Sequence, residues 1–105
     1  KKERLYGLYL DTNSQIIEKP ELISVGILDA SLVHPREVFK KGIKKSAKSL
    51  ILIHNHPGGD SSPSQEDRLV TNKIKKAGNI LDISLLDHVI VAEDGYYSFC
   101  EKGEI

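Results

Sequence analysis

The stretch Ser49 to Asp67, SLILIHNHPGGDSSPSQED, decides how the rest of the chain is read. Leu50 to Ile53 is an unbroken apolar run that reads as a buried strand, and it ends in two histidines one residue apart. Side chains alternate faces along a strand, so His54 and His56 point one way and Asn55 the other. Two imidazoles on one face can share a metal ion. A Pro/Gly/Ser loop then turns the chain, and a helical pattern begins at Ser64-Gln65-Glu66-Asp67. Ser64 and Asp67 are three apart and lie on one side of that helix, where the carboxylate can swing back toward the histidines.

Two nitrogens and one carboxylate oxygen, from His54, His56 and Asp67, suit zinc and leave a fourth tetrahedral position for water. The same set accepts manganese, iron or nickel. Asp60 is the other strong ligand nearby, but Gly58-Gly59 and Ser61-Ser62-Pro63 around it explain it as a turn residue. Ser64-x-x-Asp67 ahead of an apolar helix is also a capping-box sequence, in which the serine oxygen satisfies free amide protons.

These residues resemble the JAMM metalloprotease motif of MPN-type (JAB) domains, in the variant carried by bacterial RadC-like proteins. The likeness rests on His54-Asn55-His56-Pro57, Gly59-Asp60, Pro63-Ser64 and Glu66-Asp67. It extends to Val33-His34-Pro35-Arg36-Glu37, Leu86-Asp87-His88-Val89-Ile90 and Tyr97-Ser98-Phe99, so it spans nearly the whole chain. It departs at Gly58, where the family usually has serine, and no role depends on that position. The resemblance implies a zinc hydrolase acting on a peptide or isopeptide bond. It also implies a cytidine-deaminase-like architecture, with a curved sheet between helices. In such enzymes the general base is a glutamate just before an early strand, which here matches Glu3; Glu21, Glu37 and Glu66 are weaker candidates. By the same analogy Ser64 hydrogen-bonds the oxyanion or the attacking water. RadC-like proteins also carry a DNA-repair label, which none of these residues demonstrates.

Outward from the central stretch, Arg4 to Leu10 reads as a strand ending in the turn cluster Asp11-Thr12-Asn13-Ser14. Gln15 to Ile27 reads as a second, longer strand interrupted at Pro20, antiparallel to the first. A helix starts at His34-Pro35, with Val38, Phe39, Ile43 and Ala47 as its apolar stripe and Lys40, Lys41, Lys44, Lys45 and Lys48 opposite. The helix from about Ser64 carries Leu69, Val70, Ile74 and Ala77 and closes on Gly78 as a cap. Leu81 to Ala92 is strand material, broken near Ser84; Glu93-Asp94-Gly95 is a hairpin turn, and Tyr96 to Cys100 a last strand. The order predicts an α/β domain, a mixed sheet flanked by helices.

At 105 residues with zero formal net charge, residues 1–105 are expected to form a single domain, with no global pull toward nucleic acid. The lysine face at 40–48 supports a rival reading as a DNA-associated domain, although no aromatics interleave with it to stack bases. A solvated basic face is the plainer explanation. A third reading is a metal-bearing but inactive scaffold, against which the retained ligand set argues. Cys100 stands alone, which excludes a disulfide framework and a multi-cysteine zinc site and fits a cytoplasmic location. No apolar run approaches the roughly 20 residues of a membrane helix. The lack of any methionine and the start at Lys1-Lys2-Glu3 point to a piece of a longer protein. Homo-oligomerisation is left open. His88, after Asp87 on a strand, orients a ligand or makes an ordinary buried hydrogen bond; His34, before a proline, is structural. There is no H-E-x-x-H helix, no Cys-x-x-Cys deaminase pair and no G-x-x-x-x-G-K loop.

Overall fold

The computed structural model describes residues 2–105. Its strands are β1 (Arg4–Leu10), β2 (Glu21–Val25), β3 (Ser49–Asn55), β4 (Ser84–Ala92) and β5 (Gly95–Ser98); its helices are α1 (Pro35–Lys44) and α2 (Gln65–Leu81). The strands form one sheet in the order β2-β1-β3-β4-β5. β1 is antiparallel to β2 and β3, β3 and β4 are parallel, and β5 returns antiparallel to β4. This is the expected α/β class with a mixed sheet. Parallel neighbours need a long crossover, and α2 lies in the one that joins β3 to β4. The crossover sets the N-terminus of α2 after the carboxyl end of β3, the place where open α/β sheets bind ligands.

The pairing of β1 with β3 sets Leu5 opposite His54, Gly7 opposite Leu52 and Tyr9 opposite Leu50, so these positions share a face. Across the parallel pair, Leu52 stands beside His88 and His54 beside Ile90. This face is buried, and Val38 and Phe39 of α1 with Val70 and Ile74 of α2 complete one core against it. Each such side chain contributes roughly 1.5–3 kcal/mol by leaving water. Tyr9 sends its hydroxyl to the Val38 carbonyl at 2.7 Å, and burial raises that phenol well above its usual range. Tyr6, Leu8, Ile51, Ile53 and Val89, on the opposite face, are half-buried.

Several boundaries differ from expectation. The second strand is only Glu21–Val25; Ile16 makes an isolated bridge to Leu10, and Ser14 and Glu18 adopt positive φ, which breaks the extended run before Pro20. On α1 the buried stripe is Val38, Phe39 and Gly42, while Ile43 is 60% exposed. The Tyr9 ring lies against Gly42, where a Cβ would stand 3.2 Å from it, so the helix seats through its glycine. Gly78 is no cap: α2 continues to Leu81 and closes on Asp82 in the left-handed conformation. A Cβ at Gly78 would lie 2.4 Å from the Ile83 carbonyl oxygen, so this glycine permits the returning chain to touch the helix. Leu81 belongs to α2 rather than to the following strand, and Phe99 and Cys100 form a turn after β5.

Candidate metal centre

His54 is the last buried side chain of β3, and His56 follows the strand end, where its backbone N–H still bonds the Val91 carbonyl at 2.9 Å. Asp67 arrives from the first turn of α2. Its Oδ1 lies 2.8 Å from His54 Nδ1 and its Oδ2 lies 3.0 Å from His56 Nε2. The spacing read from the sequence thus does bring the three side chains together. Glu3, just ahead of β1, places its Oε2 3.0 Å from His54 Nε2. His54 and Asp67 are fully enclosed, whereas Glu3 and His56 keep 23% and 15% of their side chains exposed, so solvent reaches the cluster along their side.

Ser64 makes the capping box in full. Its hydroxyl accepts from Asp67 N–H at 3.1 Å and donates to Asp67 Oδ2 at 2.9 Å, and its own N–H donates to that oxygen at 2.7 Å. Both the cap and the helix N-terminus favour a charged carboxylate there. Burial alone would raise the Asp67 carboxyl, but bonds from His54 and from the Ser64 N–H and hydroxyl outweigh it and hold the group well below the usual carboxylate range.

The remaining sequence candidates lie elsewhere. The Asp60 carboxylate accepts from Ser62 N–H at 2.9 Å, as a turn residue does. Glu66 accepts from Ala30 N–H at 2.7 Å, Glu37 meets Arg36 at 3.8 Å, and Glu21 pairs with Lys45 at 3.0 Å. Lys45 is also bound to Glu18. Glu18, Glu21 and Glu37 line a cleft of about 480 Å³ with Lys40, Lys41, Lys44 and Lys45, so the basic side of α1 carries both signs.

The hydrogen-bond roles around the histidines test whether a cation fits. His56 Nδ1 faces the Asp60 carbonyl at 3.0 Å, and a carbonyl only accepts, so the ring proton sits there. In that neutral tautomer Nε2 turns a lone pair on Asp67 Oδ2, another acceptor. His54 has carboxylate oxygens at both ring nitrogens but, when neutral, one proton to offer them. Acceptors gathered in this way are satisfied together by a shared cation. The residues therefore fit a metal ion.

His88 is the residue the sequence left undecided. Thr71 donates its single hydroxyl proton to the Asp67 carbonyl at 2.8 Å, so His88 Nδ1, 2.7 Å from Thr71 Oγ1, supplies the proton of that second bond. This leaves His88 Nε2 as a bare acceptor, buried and without a partner. Burial, against the nearby Asp67 charge, pushes the imidazole down to about 4. Among the described residues, the group whose ligand atoms all lie within 4.8 Å of one another is His54, Asp67 and His88, so His88 stands in it where the sequence had named His56. Asp87 binds His88 N–H, Ser98 Oγ and Cys100 N–H, and Phe99 stacks on the His88 ring at 5.0 Å, which fixes the ring in place.

No described helix is long and apolar enough to cross a membrane. A sequence model of the RadC-like JAB domain matches residues 1–104. Among similar proteins, a UPF0758 protein of Methanococcoides burtonii is 55% identical over 105 residues, covering 100% of this chain and 45% of that protein. One from Chlorobium phaeovibrioides is 52% identical over 104 residues, 99% of this chain and 46% of its own length. The chain spans about half the length of the curated relatives it matches. A family match over almost the whole chain, with relatives at about half identity, means that the chain belongs to the RadC-like JAB domain family.

Proposed function

We propose that this chain is a zinc-dependent hydrolase that cleaves a peptide or isopeptide bond. One observation carries the reading: the Asp67 carboxylate meets His54 through one oxygen and His56 through the other. His54, His56 and Asp67 would hold the ion. When bound, it supplies a Lewis acid that acidifies water and polarises a carbonyl.

Glu3 takes a proton from the attacking water and delivers it to the leaving amine. Its partial exposure suits that exchange, because a fully enclosed carboxylate could not meet solvent. Ser64 fixes the Asp67 carboxylate through two bonds to Oδ2, and a part at the oxyanion requires its hydroxyl to leave that oxygen. His88, held by Thr71 and stacked on Phe99, stands next to His54 and Asp67 as a further imidazole at the site.

The test is hydrolysis of a broad peptide and isopeptide library by wild type, Glu3→Gln and His56→Ala, each with measured zinc content. A loss of about 10²–10⁴-fold in Glu3→Gln with zinc retained is the expected result. Full activity in Glu3→Gln would remove the base assignment, and a wild type that loads zinc but cleaves nothing would remove the hydrolase.

A further inference from the structure

Asn55 sits between the two histidines, and its side chain points to the opposite face of β3. Its amide is not idle. Asn55 Oδ1 accepts from Arg4 N–H at 2.6 Å, and Asn55 Nδ2 donates to the Lys2 carbonyl at 3.1 Å. The two bonds grip the backbone on either side of Glu3. The neighbouring His54, pointing the other way, meets the Glu3 carboxylate.

The register explains why a side chain is needed there. Pairing of β1 with β3 begins at Leu5 opposite His54, so the backbone before Leu5 lies beyond the ladder on that side. On the other side the Glu3 carbonyl is held by Gly26 N–H at 2.8 Å. A primary amide offers one acceptor and two donors in a plane, and so can replace a strand partner for one N–H and one C=O. Without it, a segment outside the ladder frays, and a carboxylate carried on it swings away. Consecutive residues of one strand thus hold Glu3 twice, by backbone and by carboxylate.

The geometry points to Asn55 as a positioning residue that clamps the Glu3 segment so that the Glu3 carboxylate stays at His54. This rests on the proposed reading for its catalytic meaning, but the clamp is measurable without catalysis. In metal-free protein, Asn55→Ala is expected to raise amide hydrogen exchange at Arg4 by about tenfold or more while core amides of β3 stay protected. It should also move the ring-nitrogen NMR signals of His54 toward those of Glu3→Gln. Asn55→Asp, which keeps the acceptor for Arg4 and loses the donor to Lys2, should retain most of the Arg4 protection and covers the case of an Ala variant that folds poorly. On zinc-loaded protein and the library peptide cleaved best by wild type, Asn55→Ala should lower kcat about tenfold or more with KM little changed.

Unchanged Arg4 exchange or unmoved His54 signals in Asn55→Ala would overturn the clamp. Full kcat in Asn55→Ala alongside an inactive Glu3→Gln would overturn its positioning role while the hydrolase stands. Both NMR changes in a wild-type background that cleaves nothing would uphold the clamp and fail the hydrolase alone.

Discussion

Asp67 and His88 are joined by one hydroxyl: Thr71 Oγ1 donates to the Asp67 carbonyl at 2.8 Å and lies 2.7 Å from His88 Nδ1. This ties the buried imidazole of β4 to the first turn of α2 and fixes which of its nitrogens is bare. The burial of that imidazole sets how the metal-free protein responds to acid.

A buried neutral His88 resists protonation, with its value lowered from 6.5 to about 4. The unfolded chain therefore binds the proton first as pH falls, and the folded state loses stability from about pH 6.5 downward, with no further loss from this group below about pH 4. The full effect is about 3 kcal/mol. Urea unfolding of chelated protein at a series of pH values checks this, and His88→Gln should flatten the slope in that window.

Gly78→Ala should destabilise the domain even though alanine favours helices. The added Cβ would stand 2.4 Å from the Ile83 carbonyl oxygen, a backbone atom that cannot step aside without moving the start of β4. Overpacking of this kind costs about 1–3 kcal/mol, against a propensity gain of about 1 kcal/mol. A denaturant midpoint shifted down is the expected outcome, and a shift upward would show that the Asp82–Ile83 turn yields freely.

Removing the metal should lower the melting temperature without unfolding the chain, because the core of Leu5, Phe39, Leu50, Leu52, Val70 and Ile74 packs independently of it. At a zinc concentration about 1,000 times Kd, binding adds about 4 kcal/mol. For a domain of this size that corresponds to a fall of roughly 15–30 °C on chelation. Thermal scans with and without chelator, followed by re-addition of zinc, read it directly.

The parts of this site legible in the sequence are those set by local periodicity. The alternation of a strand puts His54 and His56 on one side, and three-residue spacing on a helix brings Ser64 and Asp67 into one capping box. Glu3 reaches His54 from 51 residues away, a contact that no local pattern encodes; the family resemblance pointed to Glu3 only as a general base. That His88 Nε2 is buried and unpartnered depends on strand register, burial and the Thr71 hydroxyl together, so the letters Asp87-His88 left its role open. Asn55 was readable as facing away, but what it would meet there was set by where the chain start crosses β3. The misplaced strand and cap came from reading Ile16 and Gly78 by type, where positive φ at Ser14 and Glu18 and a close backbone approach decided otherwise.

Elemental analysis of wild type, Asp67→Asn, His56→Ala and Glu3→Gln after dialysis against zinc tests the metal centre most directly. One zinc per chain is expected in wild type and Glu3→Gln, with metal lost from Asp67→Asn and His56→Ala by at least about 100-fold in affinity. Zinc retained at full stoichiometry in Asp67→Asn, or absent from wild type, would contradict the account.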